Sequence, residues 1–411
     1  MDSNNQRLAV EIARFARFDH LRRSNFYKNN RAEIEQLLDR EKVYLSPSAR
    51  PRLASFLRVV EWNIERGSKL EGILQVLNHH PLLRYADLML LNELDIGMAR
   101  SGNRNVAREL SRELSAHAVF GVEYLEMTKG VGQELLIESE NTAALHGNAI
   151  LTRYPFSNPR LIRLPRCENN FESAEKRLGG RIGILLDIEI AGESITAAAT
   201  HLDVVGSPRC RAKQLRAFLE YVESQFPERI IFGGDLNTHT FKRGGRVRTA
   251  RNVIRIFGSP LEALRRHLLY PETREPALSE LKRFGYEVES FNDRRATSWA
   301  VISRLEDAQR VPFPMRWWVT RRMDADGLRL EFKLDWLAGR RVRALRAGEM
   351  KDEATGIESL SPQTVKGLSQ NGEPLSDHDP VVVDIALSAV EATTLQSKIG
   401  NLESEVITQP R

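Results

Sequence analysis

The chain has 411 residues, 41% of them hydrophobic, and 60 Lys plus Arg against 55 Asp plus Glu, for a net charge of +5. That is enough apolar material for one large domain with appendages or for two domains, and the mild basic bias permits a polyanionic partner without requiring one. No run of about 18 uncharged apolar residues is present, which argues against a transmembrane helix, and Arg7, Glu11, Arg14 and Arg17 interrupt any apolar signal segment near the start. The expectation is a cytoplasmic protein. Cys167 and Cys210 are too few for a disulfide framework and have no metal-site neighbours, so they read as ordinary thiols, with a single bridge as the alternative.

In chain order, residues 1–55 read as a helical preface, with Leu8, Ile12 and Phe15 on one face, Ile34, Leu37 and Leu38 on another, and Pro47 and Pro51 ending it. Its basic residues Arg14, Arg17, Arg22, Arg23 and Lys28 fit a solvated face docked on the main domain better than a phosphate contact. From Phe56 strands and helices alternate. The segments 56–64, 86–93, 149–151, 182–190, 194–200, 229–232, 332–337 and 380–385 are predicted strands, 70–83 a helix, and Gly192 part of a hairpin turn. The mixture predicts an α/β (α+β) four-layer sandwich, two mostly antiparallel β-sheets packed face to face with helices outside, rather than a doubly wound parallel sheet. Residues 56–388 would form this domain, 241–330 an elaborated insert between two site strands, and 389–411 a polar C-terminal tail.

The centre of the sequence is Ile230-Ile-Phe-Gly-Gly-Asp-Leu-Asn-Thr238, an apolar strand that stops at two glycines and presents Asp235 and Asn237. An Asx-turn at a strand end accounts for such a pair taken alone. The same setting recurs, however. Asn63 ends Val59-Val-Glu-Trp-Asn, Glu93 ends Leu88-Met-Leu-Leu-Asn-Glu, His201 ends Ile195-Thr-Ala-Ala-Ala-Thr-His, Asp335 interrupts Phe332-Lys-Leu-Asp-Trp, and Asp377 and His378 introduce the final strand. Turns alone do not explain so many acidic, amide and imidazole side chains at strand ends that can gather on one rim.

The ordered series Trp-Asn-Ile, Asn-Glu-Leu-Asp, Gly-Asn-Ala-Ile-Leu, Thr-His-Leu, Gly-Gly-Asp-Leu-Asn-Thr, Lys-Leu-Asp-Trp and Ser-Asp-His-Asp-Pro resembles the endonuclease/exonuclease/phosphatase superfamily, with its deoxyribonuclease-like fold. The resemblance runs from about Phe56 to Leu387 and implies a phosphoesterase dependent on Mg²⁺ or Mn²⁺. It makes Glu93 the principal metal ligand, with Asn63 and Asp377 completing the site. It makes Asp335 the partner that orients His378, and either Asp235 or His378 the base. Asn237 would hold a phosphate oxygen. His201 resembles the deoxyribonuclease, sphingomyelinase and deadenylase branches, where it serves as general acid or phosphate contact. Its acidic partner is sought at Glu138 or Glu140, and Arg181 is a candidate phosphate-facing cation or a surface arginine.

Arg243, Arg246, Arg248, Arg251 and Arg255 follow Asp235 and Asn237 and suit a nucleic-acid backbone, with Arg243 and Arg246 the expected substrate contacts. Phe313, Trp317 and Trp318 instead suit a membrane interface. The leading expectation is hydrolysis of phosphodiesters in nucleic acid. A phospholipid or inositol-phosphate esterase is second, and an inactive binding scaffold is third, disfavoured because every catalytic position is filled.

Overall fold

Asn63 lies on a strand and His378 just before another, and because those two strands are hydrogen-bonded neighbours, residues far apart in sequence come together. In the computed structural model, which describes residues 2–167, 169–190, 192–239, 251, 254–255, 258–300, 314, 317–319, 321 and 330–387, the strands fall into two large sheets and two small ribbons. In chain order they are β1 (Lys42–Tyr44), β2 (Phe56–Arg66), β3 (Leu88–Ile96), β4 (His117–Glu126), β5 (Leu145–Thr152), β6 (Phe156–Arg163), β7 (Arg177–Gly179), β8 (Ile182–Ile190) and β9 (Glu193–Thr200). There follow β10 (Ile230–Asp235), β11 (Ser298–Ala300), β12 (Leu330–Phe332), β13 (Asp335–Arg340), β14 (Gln363–Thr364), β15 (Ser369–Gln370), β16 (Glu373–Pro374) and β17 (Val381–Ala386).

One sheet has the order β1-β4-β5-β3-β2-β17-β14, with β7 also on β4, and the other β13-β10-β9-β8-β6. Pairing is antiparallel except at β2 with β3 and β9 with β10. Strand alternation divides each sheet into two faces. Leu57 and Val59 of β2, Leu88 and Leu90 of β3, Ile184 and Leu186 of β8, Ala197 and Ala199 of β9 and Ile231 of β10 fill the layer between the sheets. The alternate residues Val60, Trp62, Met89 and Leu91 face outward, where α1 (Asp2–Ala13), α2 (Phe18–Arg23), α3 (Asn25–Asp39), α4 (Leu70–His79) and α5 (Val106–Glu113) supply their core contacts through residues such as Leu8, Ile12, Leu21, Ile34, Leu77 and Leu110.

The other outer face is covered by α6 (Pro208–Glu223). Ser207 caps this helix by accepting from the Cys210 N–H, Pro208 opens it, and Leu215, Phe218, Leu219 and Val222 pack on Leu185, Ala198 and Phe232. The helix Pro276–Arg283 joins the same core through Ala277, Leu278 and Leu281. Each fully buried Leu or Phe contributes on the order of 1.5–3 kcal/mol by leaving water, so both helix layers are held by their apolar faces. The four-layer sandwich expected from the strand pattern is therefore the observed fold.

The differences are local. The helix predicted over 70–83 ends at His79, because His80 precedes Pro81 and adopts an extended conformation. The segment 332–337 is divided between β12 and β13, which lie in different sheets. β1 lies within the preface expected to be helical and pairs with β4, so the preface is built into the first sheet. The two cysteines, expected as thiols, form a Cys167–Cys210 disulfide. The chain after β6 returns beside the start of α6, a proximity that spacing does not reveal. Among the described residues no helix is long and apolar enough to cross a membrane. The tail 389–411 lies outside the described residues.

Candidate active site

The parallel pair β9 and β10 ends on the same rim as β2 and β3, and Gly234 makes the approach possible. It has φ +153°, and a Cβ there would meet the Thr200 carbonyl oxygen at 1.8 Å. This close contact sets Asp235 against His201, whose Nε2 lies 3.5 Å from Asp235 Oδ2. The Asp235 N–H donates to Asn92 Oδ1 at 2.8 Å, and the Asn63 amide donates to Asp235 Oδ2 at 3.1 Å and to Glu93 Oε1 at 3.2 Å. Asn63 thus ties the two sheets together across the site.

Asp235 and Asp335 are directly opposite in the antiparallel pairing of β10 and β13. Thr297 anchors the start of β13 by accepting from the Leu334 and Asp335 N–H groups, both at 3.0 Å. The Asp335 carboxylate accepts from His378 Nδ1 at 2.8 Å, and His378 Nε2 is 3.8 Å from Asp235. Ser376 holds the His378 loop by donating to the Asn63 carbonyl and accepting from the His378 N–H. Burial would lower the His378 imidazole, but Asp335 and Asp235 overcome it and hold the ring well above its ordinary value. Burial and the facing Asp335 push the Asp235 carboxyl up to about 7.

Glu93 sits where regular pairing breaks on both sides of β3, at irregularities between Asn63 and Arg66 and between Leu91 and Leu94. Glu65, Arg66, Glu93 and Asn237 all have left-handed backbones, with φ of 46°, 66°, 56° and 49°. Such strain persists only where the surroundings enforce it, and here it gathers on one rim. Burial opposes ionisation of Glu93, yet its neighbours, the Arg66 guanidinium and the Asn63 amide among them, hold its carboxyl well below the usual range. Burial raises Asp377, with Glu93 adding to the effect, and burial with Asp377 and Glu93 pushes Glu65 to about 7.

Two acidic groups could therefore receive a cation. Asp235, Asp335 and His378 offer ligand atoms all within 4.8 Å of one another. Glu65, Glu93 and Asp377 form a second set of hard oxygen donors, in which Glu93 raises both Glu65 and Asp377, and such donors suit a divalent ion. In the first group both Asp335 oxygens already face His378 Nδ1, at 3.0 and 2.8 Å, whereas no such internal pairing occupies the second.

The structure brings together Asn63, Glu93, His201, Asp235, Asn237, Asp335, Asp377 and His378, all of them anticipated. Asn237 is turned to the Leu202 carbonyl, to which its amide donates at 2.9 Å. Arg181, expected to face a phosphate, is only 6% exposed and gives its N–H groups to Glu123, His201 and Asp203. It also occupies the place sought for an acid beside His201. Glu138 and Glu140 make no such contact, and Glu140 pairs with Lys129. Arg243 and Arg246 lie outside the described residues, as do Arg248 and Phe313, while Arg251 and Arg255 are exposed. Sequence reading missed Asn92, Glu65, Ser376, Thr297, Glu123 and Asn148. Asn92, Glu65 and Ser376 adjoin recognised motif residues, and Asn148 lies inside Gly-Asn-Ala-Ile-Leu, but Glu123 and Thr297 carry no local signal.

No family model matches the chain, and no curated protein matches it. Solved structures do. The catalytic domain of human nocturnin, bound to sulfate, is 15% identical with a TM-score of 0.44 over 85% of this chain and 97% of its own. A D. rerio TDP2 complexed with a single-strand DNA product is 15% identical with a TM-score of 0.42, over 80% of this chain and 99% of its own. An endonuclease/exonuclease/phosphatase from Bacteroides vulgatus is 15% identical with a TM-score of 0.41, over 81% and 100%.

Proposed function

We propose that the protein is a divalent-metal-dependent phosphodiesterase with nucleic acid as its leading substrate. The observation that carries this reading is the convergence on one buried rim of an Asp335–His378 pair, an ionisable Asp235, His201 and a carboxylate cluster around Glu93. Glu93, Asp377 and Asn63 would hold Mg²⁺ or Mn²⁺, with Glu65 beside them. Bound there, the ion supplies Lewis-acid stabilisation of charge on a phosphoryl oxygen.

The chain's own groups divide the remaining work. Two carboxylates raise the His378 imidazole, which favours its protonated form, a hydrogen-bond donor to a phosphoryl oxygen, over the base role. The base role then falls to Asp235, whose value near 7 suits removal of a proton from water close to neutral pH. Asp335 fixes the His378 ring. Asn237 keeps the loop after β10 against Leu202 and has a second amide hydrogen for the phosphate.

The substrate preference rests on the arginines that follow Asp235, of which Arg251 and Arg255 are exposed. A phospholipid or inositol-phosphate substrate is the second reading, favoured by Trp317, which is 53% exposed with Arg321 over its ring. The test is hydrolysis of an oligonucleotide, a phospholipid vesicle and bis(4-nitrophenyl) phosphate, with Mg²⁺ and with chelator. Metal-dependent cleavage of the oligonucleotide is expected, weakened by charge neutralisation at Arg243, Arg246 and Arg248. Cleavage of the vesicle alone, lost in Trp317→Ala, would replace nucleic acid by lipid. No cleavage of any ester would return the protein to the scaffold reading.

A further inference from the structure

A guanidinium can donate hydrogen bonds but has no lone pair with which to accept one. Arg181 Nη1 lies 2.8 Å from His201 Nδ1, so the imidazole nitrogen must be the acceptor and carry no proton. A neutral His201 then bears its proton on Nε2, the nitrogen facing Asp235 and the cleft.

Arg181 is itself held in place. Glu123, fully buried in β4, accepts from Arg181 Nη1 at 2.7 Å, and Asp203 lies 3.4 Å from Arg181 Nε. The other Glu123 oxygen accepts from the Asn148 amide at 2.9 Å, and Asn148 Oδ1 accepts from the Glu93 N–H at 3.2 Å. The backbone makes room for this arrangement at Gly179, with φ +133°, where a Cβ would meet the Glu123 carbonyl oxygen at 2.0 Å. Hydrogen bonds therefore run from the Glu93 backbone through Asn148, Glu123 and Arg181 to His201.

We propose that Arg181, anchored by Glu123, is a positioning residue that fixes His201 in the Nε2–H tautomer, so that His201 presents a neutral hydrogen-bond donor to a phosphoryl oxygen in the cleft. Carboxylate-held His378 and arginine-held His201 then differ in kind: a carboxylate on Nδ1 favours the imidazolium, and a guanidinium on Nδ1 favours the neutral ring. A carboxylate at the Arg181 position would reverse the polarity, placing the proton on Nδ1 and favouring the imidazolium. The contribution to catalysis rests on the phosphodiesterase reading, whereas the tautomer does not.

The deciding experiment is heteronuclear NMR of metal-free protein labelled in its histidine nitrogens, with His201 assigned from a His201→Gln spectrum. The wild type is expected to show His201 protonated on Nε2 and a hydrogen-bonded, unprotonated Nδ1. Arg181→Met, which keeps bulk but has no donor, should move the Nδ1 resonance away from that position, and Arg181→Lys should restore it in part. Glu123→Gln, a milder change, should shift the same resonance and serves if Arg181→Met does not fold. A proton on Nδ1 in the wild type, or an Nδ1 resonance unmoved in both Arg181→Met and Glu123→Gln, overturns the assignment whatever the turnover. With Mg²⁺ and bis(4-nitrophenyl) phosphate, Arg181→Met should lower kcat by about 10-fold to 100-fold with partial rescue by lysine. An unchanged kcat overturns the catalytic half of the proposal. A wild type inactive on every ester would defeat the proposed function and leave the NMR result standing.

Discussion

Asp235 and Asp335 face each other across the β10–β13 pair, two carboxylates at opposed positions of one antiparallel ladder. Like charges so placed are unfavourable, and His378 relieves the pair by lying 2.8 Å from Asp335 and 3.8 Å from Asp235. The arrangement raises both the His378 imidazole and the Asp235 carboxyl above their ordinary values, two consequences of one geometry.

Asp335→Asn tests that geometry. The amide keeps the shape but can turn its NH₂ toward His378 Nδ1, which removes the charge that keeps the ring protonated. Turnover on a phosphodiester should fall by about 10²-fold to 10⁴-fold, as when a positioned acid or base is disabled, with the far-ultraviolet circular dichroism unchanged. Full activity in this variant would remove Asp335 from the machinery.

Glu93→Gln tests the cation site. The substitution preserves the side-chain volume and removes one of the crowded charges, so titration calorimetry should show Mg²⁺ affinity reduced by more than the roughly 10-fold that loss of an outer partner costs. Undiminished hydrolysis in excess chelator would overturn the metal requirement.

Asp235 makes the site a stability cost above neutral pH. Its carboxyl rises from an ordinary 3.8 to about 7 in the fold. The stabilisation linked to that proton is fully present below the ordinary value and is lost as pH rises through the folded value. Asp235→Asn carries no charge at any pH, so in chelator near about pH 8 its Tm should exceed that of the wild type by roughly 2–4 °C for each kcal/mol relieved, while activity is lost. Near about pH 4 the two proteins should melt together. A lower Tm for the variant at the higher pH would contradict the raised carboxyl.

The Cys167–Cys210 bridge spans a sequence separation of 43 residues. Closing a loop of that length restricts the unfolded chain enough to stabilise by about 4 kcal/mol in the chain-entropy account, and by 2–4 kcal/mol in typical practice. The double change Cys167→Ser with Cys210→Ser should lower the urea midpoint relative to unreduced wild type. Identical midpoints would mean that the bridge does not form in solution.

The sequence by itself determined the sandwich and most of the rim, because both are written in local patterns. Short apolar runs such as Ile230–Phe232, β-branched and closed by glycines, read as buried strands, and the polar residues that end such runs, Asn63, Glu93, His201 and Asp235, stand where the strand leaves the core. α6 was not among the predicted elements, although its Ser207-Pro208 start and the face formed by Leu215, Leu219 and Val222 are local signals of a helix. Only the tertiary structure decided which polar groups meet. The opposition of Asp235 and Asp335 depends on a register between strands about 100 residues apart. Glu123 and Asn148 lie on neighbouring strands and reach Arg181 through side chains, leaving no periodic trace. A histidine's protonation depends on whether its neighbour donates or accepts, and that neighbour is supplied by the fold. For this reason Arg181, which reads in sequence as a phosphate-facing cation or a surface arginine, is instead the buried partner of His201.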